Sequence, residues 1–125
     1  MSNRTADLDL TGATEAFCAR LSAEGRSPAT IAAYRRDLAL VARVAGELAP
    51  GIVCREVTVG LLDEVFSAGA VTESERGPRS AASLHRMKAA VRAFFAWAAE
   101  TGVVGDNPAR SIRMHRLPRK LPVFL

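Results

Sequence analysis

Residues 25–41, GRSPATIAAYRRDLALV, carry the strongest structural signal in the chain. Ser27 is a good helix N-cap, and Pro28 suits the first helical turn, where its missing N–H costs nothing. From there the pattern predicts a helix to about Val44 or Ala45, with Gly46 where a C-terminal stop belongs. At 100° per residue, Ile31, Tyr34, Leu38, Val41 and Ala45 gather on one side. Arg35, Arg36 and Arg43 lie on the other, with Ala32 and Ala39 between them.

The same logic places the flanking elements. A first helix is expected from Thr11 or Gly12 to Glu24, stopping at Gly25, with Phe17 and Leu21 on its apolar face beside Ala13 and Cys18. Residues 47–57 form a loop. Thr58 caps a shorter helix that ends at Gly69, with Leu61, Leu62, Val65 and Phe66 facing the core. Residues 69–79, GAVTESERGPR, are polar and contain Gly77 and Pro78, the composition of a mobile loop. Ser80 caps the longest helix, Ala81 to about Glu100, with Gly102 as its stop. Leu84, Met87, Val91, Phe94, Phe95 and Ala98 form its apolar stripe. Ala82, Ala89, Ala93 and Ala96 form the opposite side, flanked by His85, Arg86 and Arg92. Asn107-Pro108 opens a last short helical turn before a basic, proline-broken tail. The expected architecture is therefore all-α: four long helices plus a short C-terminal helix.

Charge is distributed unevenly. The 125 residues carry a net charge of +4, and 15 of the 17 cations are Arg. Arg26, Arg35, Arg36 and Arg43 outweigh Asp37 in residues 26–46. Arg79, Arg86, Lys88 and Arg92 meet no acid in residues 79–92, nor do the cations of residues 110–125. The intervening stretches are acidic. Such blocks suit one face that meets a polyanion while the rest stays soluble.

Two helices thus present Ala and Arg rather than mixed Lys and Glu. Alanine lets a helix backbone come close to another surface, and Arg at its edges can fork onto phosphate oxygens or guanine. Other chemistry finds little support. No apolar run is long enough to span a membrane, and MSNRTADLD lacks the order of a signal peptide, so a cytoplasmic location is expected. Cys18 and Cys54 form no metal-ligand pair and are read as reduced, buried thiols. His85 and His115 have no motif partner, and neither a phosphate-cradling glycine loop nor a paired-carboxylate motif occurs. No cofactor or small-molecule ligand is expected.

Residues 25–41 resemble the start of the core-binding domain of the tyrosine recombinases, with a Ser-Pro cap, a Thr and then Tyr-Arg-x-Asp-Leu. RMKAAVRAFFAWAAETGVVGDNPA, residues 86–109, resembles the family's last long helix with its Gly turn and Asn-Pro opening. LPRKLPVFL, residues 117–125, resembles the linker into the catalytic domain. The resemblance implies a SAM-like orthogonal bundle over residues 11–112, after a flexible leader (1–10) and before a basic linker (113–125). It implies that the second and fourth long helices face double-stranded DNA, one half of a C-shaped clamp. The candidate contacts are then Arg26, Ser27, Thr30, Arg35 and Arg36 on the first of these. On the second they are Arg79, Ser80, Ser83, Arg86, Lys88 and Arg92.

The family's catalytic set is an Arg, a Lys, a His-x-x-Arg box, a further His or Trp and a Tyr nucleophile, and it is missing from this sequence. The resemblance therefore implies a chain that binds DNA, and other recombinase protomers on it, without cutting. About six phosphate contacts predict a salt slope near −5. The face assignment predicts that Arg35→Ala or Arg86→Ala weakens binding with little change in stability. The alternative is a helical module for protein–protein contact and self-association. A helix-turn-helix repressor fits less well, because the helix of residues 27–45 is not followed within 3–4 residues by a recognition helix.

Overall fold

The computed structural model describes residues 8–114. The leader before Leu8 and the tail after Met114 lie outside the described residues. Four side-chain caps open the main helices, each satisfying a backbone N–H that the first turn leaves without a partner. Asp9 accepts from Gly12 at 2.7 Å and opens α1, Leu10–Ala23. Ser27 accepts from Thr30 at 3.1 Å and opens α2, Pro28–Leu48. Thr58 accepts from Leu61 at 3.1 Å and opens α3, Val59–Ser67. A short α4 follows at Gly69–Thr72, and Ser80, accepting from Ser83 at 3.1 Å, opens α5, Ala81–Glu100. Gly25 and Gly102 end α1 and α5 with φ of 82°, a conformation that a Cβ would strain.

The bundle is all-α in its main elements, as expected, and α2 packs against α1, α3 and α5. Phe17, Leu38, Val41, Leu62, Val65, Met87, Val91, Phe94 and Phe95 form one continuous core. Phe17 sits edge-on to both Tyr34 and Phe94, with ring centroids 5.7 Å apart in each case. Trp97 leans on the same rings, 5.5 Å from Phe17.

Four local expectations are corrected. The leader ends earlier than residue 10: Asp9 is the cap, Leu10 is buried, and the Cys54 N–H holds the Leu8 carbonyl at 2.8 Å. Gly46 lies inside α2, which ends at Leu48 because Pro50 supplies no N–H and disfavours helical backbone at Ala49. Residues 69–79 are built rather than mobile. After α4, β1 (Glu73–Ser74) pairs antiparallel with β2 (Gly77–Pro78) in a small ribbon, and the fully buried Val71 anchors the segment. Polar composition hid that single anchor. The short C-terminal helix is instead a turn. The Asn107 side chain accepts the Ala109 N–H at 2.8 Å, which gives the backbone a local alternative to helix.

Both cysteines are free and buried. Desolvation, helped by the charge of Asp9, pushes the Cys54 thiol from an ordinary 9.0 up to about 12. Burial also raises Cys18, opposed by Arg35 and aided by Glu15. Between pH 9 and 12 the unfolded chain surrenders the Cys54 proton while the folded chain keeps it, so stability falls as pH rises through that window. The thermal midpoint should drop between pH 9 and 11, and less steeply in Cys54→Ala. Equal slopes in the two proteins would contradict the assignment.

Candidate nucleic-acid interface

The exposed face of α2 carries Ala29, Ala32, Arg35, Arg36, Ala39 and Arg43, and that of α5 carries Ala82, Arg86, Ala89, Arg92 and Ala96. Both faces therefore have the alanine floor and arginine edges expected of them. The helices lie side by side. Arg86 of α5 grips Asp37 of α2 through two hydrogen bonds, Nε to Oδ2 at 2.9 Å and an η-nitrogen to Oδ1 at 3.2 Å. The Asp37 side chain is only 6% exposed and the Arg86 side chain 49%. The hydrogen bond to Asp37 raises the Arg86 pKa, against a smaller opposing effect of desolvation. Beside the bridge, Thr30, Ala33, Tyr34, Asp37, Arg86, Ala89 and Ala90 line a cleft of about 260 Å³. The cleft's walls come from both helices, so an object seated there touches both.

The eleven candidate residues divide by what already engages them. Arg36 is 70% exposed and only 4.0 Å from Asp37, and Arg26 and Arg92 are exposed without an ion pair among the described residues. These three guanidinium groups are the most available to an external anion. Arg35 is paired with Glu15 of α1 at 2.9 Å, with both side chains half-exposed, and that hydrogen bond raises its pKa. Water screens such a pair, so a phosphate can replace Glu15 at small cost.

Ser27 and Ser80 serve as caps, and the Ser27 hydroxyl donates to Thr30 Oγ1 at 2.8 Å. Ser83 lies 3.4 Å from Arg86. Arg79 is turned inward: its Nε donates to the Val71 carbonyl at 2.7 Å, pinning the ribbon to α4.

Lys88 departs furthest from expectation. It is buried, its Nζ donates to the Arg113 carbonyl at 2.8 Å, and it lies 5.4 Å over the Phe66 ring. Desolvation lowers its pKa, partly offset by Asp63. The residue ties α5 to the segment that follows it and is not on the basic face. Helical spacing explains the error, because position 88 sits next to Met87 and Val91 on the buried arc.

Two partners escaped the sequence reading, Asp37 and Glu15. Asp37 left a trace: it is the only acid between residues 26 and 46, and it falls on the apolar arc with Tyr34, Leu38 and Val41. A charge there demands a partner from another element. Glu15 left none, since an exposed acid on α1 looks like any solvated side chain. Among the described residues no cluster of His, Cys, Asp and Glu could hold a metal, and no helix is long and apolar enough to cross a membrane.

Residues 14–102 match the family model of the phage integrase N-terminal SAM-like domain. Tyrosine recombinase XerC of Xanthomonas campestris pv. campestris (strain B100) is 37% identical over 114 residues, covering 90% of this chain and 34% of that protein. Tyrosine recombinase XerC of Xylella fastidiosa (strain M23) is 36% identical over 112 residues, 89% of this chain and 36% of that protein. The like-named protein of Neisseria meningitidis serogroup C is 32% identical over 115 residues, 89% of this chain and 36% of that protein. This chain therefore spans about a third of the length of the curated relatives it matches. No solved structure matches it significantly. With the family model lying over most of α1 and all of α2 to α5, the chain belongs to the phage integrase N-terminal SAM-like domain family.

Proposed function

We propose that this chain is the DNA-clamping, non-catalytic domain of a tyrosine recombinase acting in the cytoplasm. The observation that carries the reading is the Arg86–Asp37 bridge, which holds two alanine-floored, arginine-edged helices beside one cleft. Small side chains let the α2 and α5 backbones approach a duplex, and Arg26, Arg36 and Arg92 reach its phosphates, with Arg35 and Arg86 shared between their carboxylates and the DNA. The strand-exchange chemistry belongs to the remaining part of such a recombinase. This domain positions the duplex, and protomers meet on the DNA.

With Lys88 and Arg79 turned inward, five phosphate contacts remain among the candidates, and these five should contribute about −4.5 to the slope of log K against log salt. Fluorescence anisotropy on a labelled duplex at several salt concentrations measures it. Arg36→Ala with Arg92→Ala should flatten the slope by about 1.8 while leaving the fold intact, since neither side chain is buried. Binding indifferent to salt, or no binding at low salt, would sink the reading. Self-association as the main role has less to stand on. Leu48 and Val59 are the large hydrophobics most exposed among the described residues, at 45% and 37%. Isolated side chains of this kind are ordinary on a monomer's surface.

A further inference from the structure

Beyond the cleft described above, the α2–α5 seam continues toward the N-terminus of α5. There a second opening of about 510 Å³ is lined by Leu40 and Arg43 of α2 and by Ala70, Glu73, Ser74, Glu75, Arg76 and Arg79. The two openings follow one antiparallel order. Thr30 to Asp37 meet Arg86 to Ala90, and Leu40 to Arg43 meet the ribbon that leads into Ser80. Thirteen residues separate Thr30 from Arg43, about 20 Å of helix, a span comparable to six base pairs of duplex.

The charges at this end are also arranged for use. Arg43 lies two helical turns beyond Arg36 on the same face, 64% exposed and only 4.0 Å from an equally exposed Glu47. Arg76 sits in the two-residue turn of the ribbon, exposed and without an ion pair among the described residues. Three hydrogen bonds tie the ribbon together and to α4. The Arg79 N–H donates to the Thr72 carbonyl at 2.8 Å, its Nε donates to the Val71 carbonyl at 2.7 Å, and the Ser74 hydroxyl donates to the Gly77 carbonyl at 3.1 Å. A turn held this way can present a guanidinium at a fixed distance from α2.

We propose that the ribbon and the C-terminal half of α2 form a second seat for the DNA backbone, with Arg43 and Arg76 as its phosphate contacts and Arg79 as the residue that positions the ribbon carrying Arg76. The inference rests on the DNA-clamping reading and extends its footprint along the seam. Glu73 and Glu75 line the same opening and oppose a phosphate there, which makes the seat a weak one and supplies a sensitive test.

The test uses the full 125-residue chain, a fluorescein-labelled duplex of about 30 base pairs, and salt titration by anisotropy. Arg43→Ala and Arg76→Ala should each weaken binding about fivefold near 0.1 M salt and reduce the slope by about 0.9. Glu75→Gln should tighten binding about two- to threefold, the reverse sign. Arg110→Ala is the charge-matched control. Arg110 follows α5, in the turn beside the opening lined by Val57, Val59 and Pro108, and does not line the ribbon's opening. Circular dichroism checks that each variant is folded.

If the ribbon variants match Arg110→Ala while Arg36→Ala and Arg92→Ala lower affinity, the second seat is wrong and the clamp stands. If no variant changes binding, or the chain does not bind duplex, the clamp itself is wrong. A loss in both ribbon variants with the opposite effect of Glu75→Gln supports the seat.

Discussion

Phe94→Ala is expected to remove about 3–5 kcal/mol of stability, a large share of the margin that keeps a domain of this size folded. Phe94 is 1% exposed in the C-terminal half of α5. Its ring centroid lies 5.7 Å from Phe17, 4.9 Å from Phe95 and 5.9 Å from Trp97. Removing it deletes an anchor between α1 and α5 and leaves a hole ringed by flat, rigid side chains that cannot collapse easily. Edge-on ring contacts add a further increment beyond the buried area. Urea unfolding followed by circular dichroism reads the loss as a lower midpoint with an unchanged m-value. A cost below about 1.5 kcal/mol would mean that the aromatic cluster is not the centre of the core. Phe94→Leu should recover a good part of the loss, because it refills volume without restoring the ring contacts.

What was legible beforehand follows from how local each determinant is. The bounds of α5 were readable because Ser80, the Leu84–Ala98 stripe and Gly102 all act within a turn or two of the helix they define. The caps Ser27 and Thr58 were readable for the same reason. The end of α2 was misplaced because two signals competed. Gly46 permits a stop, whereas Pro50 compels one, and the compelling residue won. The built segment at 69–79 was illegible because its order depends on Val71 entering a core contributed by distant residues, and on Arg79 reaching back to it.

The basic faces divide along the same line. That Arg36 and Arg92 point outward follows from the helical period alone. That Lys88 turns inward depends on Phe66 of α3 and on the Arg113 carbonyl, neither of which its own neighbourhood announces. Arg86 combines both kinds of information. Its exposure was visible in the pattern, and its attachment to Asp37, 49 positions earlier, was not.

That attachment changes what Arg86→Ala should do. From the helix face alone the substitution weakens DNA binding and spares the fold; with the bridge in place it does both. Truncating Arg86 leaves the Asp37 carboxylate, 6% exposed, with Arg36 at 4.0 Å as its remaining cationic neighbour. A fully buried pair broken this way costs about 3–5 kcal/mol. Arg86 is half in solvent and water can reach the vacated site, so a loss of about 2 kcal/mol is expected here. For a domain of this size that lowers the thermal midpoint by about 10 °C.

Asp37→Leu combined with Arg86→Met removes both charges and refills the volume, so the double variant should recover most of the stability of the parent. A double-mutant cycle between positions 37 and 86 should give a coupling of about 1–2 kcal/mol. DNA affinity should not recover with it, because the double variant still lacks the guanidinium at the cleft. Stability restored together with affinity would remove Arg86 from the interface. Full stability in Arg86→Ala alone would show that the bridge does not hold α2 against α5, and the case for a preformed DNA-facing cleft would fall with it.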